Sequence, residues 1–418
     1  MAAERNWSDT HTFAAERLHR PESLDEVRHL VASERHIHAV GARHSFNGIA
    51  DSEGAMIDLG AMPALPVIDR DRMTVAVGAN TLYGTLAAWL ETQGYALHNM
   101  ASLPHVSVMG AIATGTHGSG DTNGILGTAV AALELVTAEG DVVRIRRGDD
   151  GFAGMVVGLG AFGVVTRVTL DIQPSYLMRQ DSFVKLPWQT VLEDFDAVFS
   201  AGYSVSILTK WANGSVDRLW PKTRLEDAEP REVTAAHLGA IPGPAYILTP
   251  GVPDPSERLN LFGVAGPWSE RLTHSRPDRP VLPVEQIQSE YMVPRTQAVP
   301  AIAALLDMGA RIDPLLLTSE IRSMAADDLW LSPAYGHDAV ALHFTWQHRP
   351  AEIAALSRQI EDMLLPLGGR PHWGKLMHTG ADRLAPLYPR MGDFRALAGR
   401  WDPQGKFRNV FLERHVFG

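Results

Sequence analysis

The chain has 418 residues, more than one hydrophobic core usually serves, and at roughly 150 residues per domain this predicts two or three domains. It is 45% hydrophobic and 20% charged, the makeup of an ordinary globular protein, so a small binding module and a disordered chain are both excluded. The formal net charge of −11 provides no overall basic field for nucleic acid or anionic lipid, and the lack of cysteine removes disulfides, thiolate metal sites and a cysteine nucleophile.

The opening residues MAAERNWSDTHT have neither the basic flank nor the apolar stretch of a signal peptide, and no run approaches the roughly 18 apolar residues of a membrane span. A cytoplasmic monomer is the expectation. Ser23 and Glu26 have capping-box spacing ahead of Leu24, Val27, Leu30 and Val31, which predicts a helix ending near Glu34. A short strand from His36 to Val40 then runs into Gly41-Ala42-Arg43-His44-Ser45-Phe46-Asn47, a loop at a strand end and a good place for a ligand. Thr74 to Val77 reads as a strand, followed by an amphipathic helix carrying Leu82, Leu86 and Leu90 with Gly94 as terminator. Two apolar runs between Val130 and Ile145 flank Ala138-Glu139-Gly140-Asp141, a hairpin pattern, and Val164 to Ile172 alternates as a strand.

Pro174 closes this mixed section. Beyond it, the proline-rich stretch Ile241 to Pro255 and the charged stretch Ser269 to Pro283 read as loops or a domain edge. Ser319-Glu320-Ile321-Arg322 and Val340 to Trp346 alternate as half-buried strands whose polar faces need an occupant. Ala351 to Leu364 reads as a helix, and short elements are expected around Trp373 and Phe407.

Gly158-Leu159-Gly160-Ala161-Phe162-Gly163 matches the G-x-G-x-x-G expression, but β-branched VVTRVTLDI follows where a dinucleotide fold needs a helix. A tight turn entering a strand is the better reading. Between Gly110 and Gly120, glycines alternate with hydroxyl residues, so backbone N–H groups and hydroxyls can form an anion nest suited to a diphosphate. A ligand-free glycine-rich connection has the same composition. His36 and His38 supply two ligands without a nearby third, an incomplete zinc site, and no metal is expected.

GARHSFN, NMASLPHVSVMGAIATGTHGSG, LGAFGVVT, QSEY, SEIR, WLSPAYG, HFTW, RPHWGK and WDPQGKF occur in this order nearly end to end. Together they resemble the vanillyl-alcohol oxidase family of flavoproteins, and within it the alditol oxidases. The resemblance implies an α+β, two-domain flavoprotein. An FAD-binding domain would span 1–173, completed by a C-terminal return over 370–418, and a cap on an antiparallel sheet with flanking helices would span 174–369. FAD would be covalently held through His44, beside Gly41, Ala42, Arg43 and Ser45. Ser102, Ser107, Gly110, Thr114, Gly115, Thr116, His117, Gly118, Val165 and His372 would complete the cofactor site. Arg43 stands where relatives commonly have glycine, a cost if the backbone there has positive φ.

By the same resemblance Ser102, Gln288, Glu320, Arg322, His343, Thr345 and Lys375 would line the substrate cavity. Hydride abstraction from an alcohol needs a proton acceptor and positive charge for the developing alkoxide. Arg322 and Lys375 would supply the charge, with Lys375 as proton acceptor if burial depresses its pKa. Without the family context, Glu320 and Arg322 read better as a surface pair on an edge strand, and Lys375 as a solvated loop charge. The implied activity is oxidation of a terminal alcohol of a sugar alcohol such as xylitol or sorbitol, with oxygen reduced to hydrogen peroxide. The alternatives are a sugar-lactone oxidoreductase and a flavin-free carbohydrate-binding protein.

Overall fold

The computed structural model describes residues 4–63, 65–225, 238–243, 261–275 and 285–418. Residues 244–255 of the proline-rich stretch and 276–283 of the charged stretch lie outside the described residues; the ends that are described form the strand Ile241–Pro242 and the helix Trp268–Arg271.

The first helix is Leu24–Ser33, and the Ser23 hydroxyl accepts from the Glu26 N–H as the spacing predicts. Glu26 does not close the reciprocal bond, because its carboxylate accepts from Glu22 N instead. The strand Ile37–Ala39 pairs parallel with Ala55–Ile57, which pairs in turn with Arg17–His19. Next to this small sheet lies a five-stranded antiparallel sheet with Thr74–Gly78, Val164–Asp171 and the expected hairpin Val130–Val136/Val142–Arg146. The helix Tyr83–Thr92 buries Leu86 and Leu90 in the same core, and Gly94 follows at φ 78°.

The Gly158–Gly163 segment connects the helix Phe152–Val156 to the strand Val164–Asp171. Helix, turn and strand thus occur in the reverse of the dinucleotide order, with no helix N-terminus to receive a pyrophosphate. The buried His38 ring lies under this turn, where a Cβ on Gly160 would come within 2.3 Å of Cε1. That close approach requires glycine at position 160, whose φ is 83°. His38 Nδ1 is 3.2 Å from Ala39 O, and burial pushes the imidazole below its ordinary pKa.

The second layer is a ten-stranded sheet, including Arg218–Leu225, Ser204–Thr209, Leu316–Met324, Ala339–Gln347, Gln286–Pro294 and Arg370–Pro371 in that order. Leu342, Phe344 and Trp346 project to one face and pack with Ile302 and Leu305 of Ala298–Asp307 and Ile353, Leu356 and Ile360 of Pro350–Leu364. Burial of each such side chain is worth about 1.5–3 kcal/mol, which commits this face of the sheet to the helices. The opposite face is left with the polar alternates. Near the C-terminus, where short elements are expected, an eleven-residue helix Met391–Trp401 packs Phe394 and Leu397 on the first core.

Candidate active site

The polar face is set by strand register. Glu320 pairs with His343, which pairs with Glu290 on the next strand, and Thr345 pairs with Gln288 one step along. Directly paired antiparallel residues share a face, so one row carries Glu320, His343 and Glu290, and Arg322 follows two residues after Glu320. Lys375 arrives from the return after Arg370–Pro371, where Leu376 N bonds to Gln288 O.

Glu290, absent from the residues singled out in the sequence, is the centre of the cluster. Its Oε2 accepts from Lys375 Nζ at 2.6 Å, and its Oε1 accepts from Arg322 at 2.8 Å with His117 Nε2 at 3.3 Å. Burial alone would raise its pKa, but Lys375, His117 and Arg322 overcome burial and hold the carboxyl well below the ordinary range. Glu320 is likewise pushed down to about 2 against burial, chiefly by Arg322 and His274. Arg322 also donates to Ser102 Oγ at 3.0 Å. Burial lowers the Lys375 pKa while Glu290 opposes it.

Burial disfavours the charged form of two of the histidines. Burial, with Lys375 nearby, brings His343 down to about 3; its Nε2 lies 3.2 Å from Gln288 Oε1. His372 falls well below its ordinary value for the same two reasons. Gly374 N–H donates to His372 Nδ1, so the proton of this ring sits on Nε2, 3.5 Å from Thr116 Oγ1. Behind the site, His274 Nε2 is 3.4 Å from Glu320 Oε1, and the buried Lys222 ammonium is bonded to Leu272 O and Thr273 O, with burial bringing its pKa to about 7. Glu290 had a sequence signal, since Gln288 and Glu290 alternate within QSEY; His274, in a loop, had none.

These groups open onto one long pocket that reaches into the first layer. Gly41 to Ser45, Ser102, Ser107, Gly110, Thr114, Thr116, His117, Val165, His372, Gln288, Glu290, Glu320, Arg322, His343 and Lys375 all line it. Gly115, Gly118 and Thr345 do not. Gly115 packs on Pro333 and Gly118 on the Asn99 side chain, so the anion nest is narrower than composition suggests. Thr345 faces the same way as Gln288 and is as buried as Glu320, but it does not reach the pocket. The Gly158–Gly163 turn contributes backbone to the lining as well.

Arg43 adopts φ 60°, the conformation that favours glycine. Its guanidinium bonds to Glu4 at 2.6 Å and lies 3.7 Å from Asp58, which offsets the strain. His44 is held to about pKa 4 by burial and by His105.

The lining fits a dinucleotide carrying a flat aromatic system. Leu133, Leu135, Met155 and Phe162 provide apolar walls, and two glycines keep backbone accessible where a Cβ would crowd Ser107 Oγ, at 2.2 Å from Gly41 and 2.6 Å from Gly110. A two-layer α+β fold with such a pocket and a charged row at the second sheet defines an FAD-binding oxidoreductase. Residues 15–146 match the family described as FAD binding domain, and residues 281–415 match D-arabinono-1,4-lactone oxidase. Alditol oxidase of a Streptomyces species is 43% identical over 98% of both chains, and L-gulono-1,4-lactone dehydrogenase of Mycobacterium tuberculosis is 28% identical over the same shares. Cholesterol oxidase of B. sterolicum shares the fold, with a TM-score of 0.79 at 16% identity over 99% of this chain and 96% of the other. The chain belongs to the vanillyl-alcohol oxidase-type flavoprotein family, in the branch that includes alditol oxidase. Among the described residues no helix is long and apolar enough to cross a membrane.

Proposed function

We propose that the protein is an alditol oxidase that acts as a monomer on the terminal primary alcohol of polyols such as xylitol and sorbitol. The product is the aldose, and dioxygen is reduced to hydrogen peroxide. The observation that carries this reading is a set of polar atoms on pocket residues with spare bonding capacity: Arg322 Nε and His343 Nδ1 are buried and make no hydrogen bond, and Glu320 Oε1 has only the 3.4 Å contact from His274. Each such atom costs about 1–3 kcal/mol when left unpaired, and a chain of hydroxyls satisfies them where an apolar alcohol does not.

FAD supplies the hydride acceptor. Gly41 to Ser45, Ser107, Gly110, Thr114, Thr116, His117, Val165 and His372 would hold it, with His44 as the covalent attachment point. We assign the FAD-binding part to residues 1–173 with 370–418, and the cap to 174–369. Arg322 and Lys375 fix the reacting hydroxyl and stabilise its developing negative charge. Burial lowers the Lys375 pKa while Glu290, 2.6 Å away, opposes it; Lys375 takes the hydroxyl proton as the hydride leaves, the role expected from the sequence. Glu320, Gln288, His343 and Ser102 grip the remaining hydroxyls.

A second reading, oxidation of a sugar lactone, is favoured by the match of residues 281–415 to a lactone oxidase family. Peroxide release measured across xylitol, sorbitol and a five-membered sugar lactone separates the two. Turnover confined to the lactone overturns the alditol assignment.

A further inference from the structure

We propose that the amino-terminal hairpin of residues 4–13 is a positioning device for covalent flavin attachment, with Trp7 setting the plane of the His44 imidazole. The inference rests on the reading that His44 carries the flavin. Trp7 stacks on His44 with ring centroids 5.0 Å apart and 29° between planes, and it lines the pocket. Among the described residues no side-chain hydrogen bond orients the His44 ring, and the stack on Trp7 is the aromatic contact that it makes.

The hairpin grips the loop on both sides of His44. Trp7 N–H donates to Arg43 O at 2.9 Å, and Asn6 Nδ2 donates to Ser45 O at 2.9 Å. Glu4 pairs with the Arg43 side chain, which keeps that residue in its left-handed conformation. The hairpin is braced from within. Asn6 is buried and its Oδ1 accepts from both Thr10 N and His11 N, while Phe13 anchors the far end beside Val40 and Met56. A braced strap that fixes the backbone on either side of His44 and covers the ring with a flat aromatic face leaves the imidazole one orientation, the requirement for an intramolecular bond-forming step. The depressed pKa of His44 keeps the ring uncharged and nucleophilic.

In attachment a bond forms between a His44 ring nitrogen and the flavin 8α carbon. One N–H and one C–H bond break, and the two protons and two electrons released end on dioxygen as hydrogen peroxide. Trp7 takes no part in these bonds; it is a positioning residue.

The test incubates flavin-depleted full-length protein with added FAD and follows covalent incorporation by acid fluorescence of denatured protein on a gel. Non-covalent binding is followed in parallel by the absorbance of flavin retained on the native protein. Trp7→Ala should still retain FAD under native conditions but attach it about tenfold more slowly, the loss of roughly one aromatic pair. Trp7→Phe should restore most of the rate, and Trp7→Leu, which keeps bulk without an aromatic face, should not. His44→Ala provides the blank. Attachment by Trp7→Ala and Trp7→Leu at the wild-type rate overturns the inference alone, whereas a wild-type protein that releases all its flavin on denaturation overturns the covalent reading and the inference together.

Discussion

Glu290 changes the meaning of every charge around it. In the proposed mechanism Lys375 acts on charge that grows toward the transition state, so its contribution falls mainly on the chemical step. Lys375→Met should lower the anaerobic rate of flavin reduction by roughly 100-fold, the scale seen when one oxyanion donor is removed. Stopped-flow reduction by xylitol measures it, and a near-normal rate would defeat the role.

Glu290→Gln leaves Lys375 and Arg322 without their shared carboxylate, and breaking a buried pair in this way costs about 3–5 kcal/mol. The pH dependence has a definite sign. The folded pKa of Glu290 lies below its ordinary value of 4.5, so its stabilisation is present above that value and disappears as pH falls through the folded one. Thermal melts from about pH 6 into acid should therefore show a lower Tm for Glu290→Gln above pH 4.5, with the difference shrinking as pH falls below that value. Parallel curves would count against the assignment. Glu320, brought to about 2, titrates in the same direction in both proteins and so leaves the difference intact.

At the scale of the element, the alternation of Val340 to Trp346 was legible because its two faces meet such different partners. Phe344 and Trp346 pack with helix residues, while His343 joins the charged row. The first helix and its Ser23 cap were legible for the same local reason. The glycine stretch was less so. Its composition permits an anion nest, yet Gly115 has φ 68° and a Cβ there would lie 2.9 Å from Pro333 Cδ. Gly115→Val should therefore destabilise the flavin-free protein by at least about 1–2 kcal/mol, the cost of a left-handed β-branched residue, and reduce flavin loading through that loss. Calorimetry of the flavin-free variant decides: an unchanged Tm with lost loading would return Gly115 to direct contact with the cofactor.

Across the whole molecule, the pocket joins loops near residues 41–45 and 102–117, strands between 286 and 343, and the return at 372–375. A substrate held at several points along this surface loses grip with each missing hydroxyl, and with it the alignment of the reacting carbon. kcat/KM should fall progressively from xylitol to glycerol and further to a short monohydric alcohol, since sites built to bond hydroxyls reject analogues lacking them. Equal efficiency on xylitol and on a simple primary alcohol would show that the row is not a polyol site. The sequence by itself determined the periodic elements, because strand alternation is a local property, and the family resemblance of its short motifs pointed to Glu320, Arg322, Lys375 and His44, all of which line the pocket. Only the tertiary structure decided that Glu290 pairs with Lys375 across 85 residues, that Trp7 covers His44 and that Gly115 packs away from the pocket, because each depends on distant segments meeting, which no local pattern encodes.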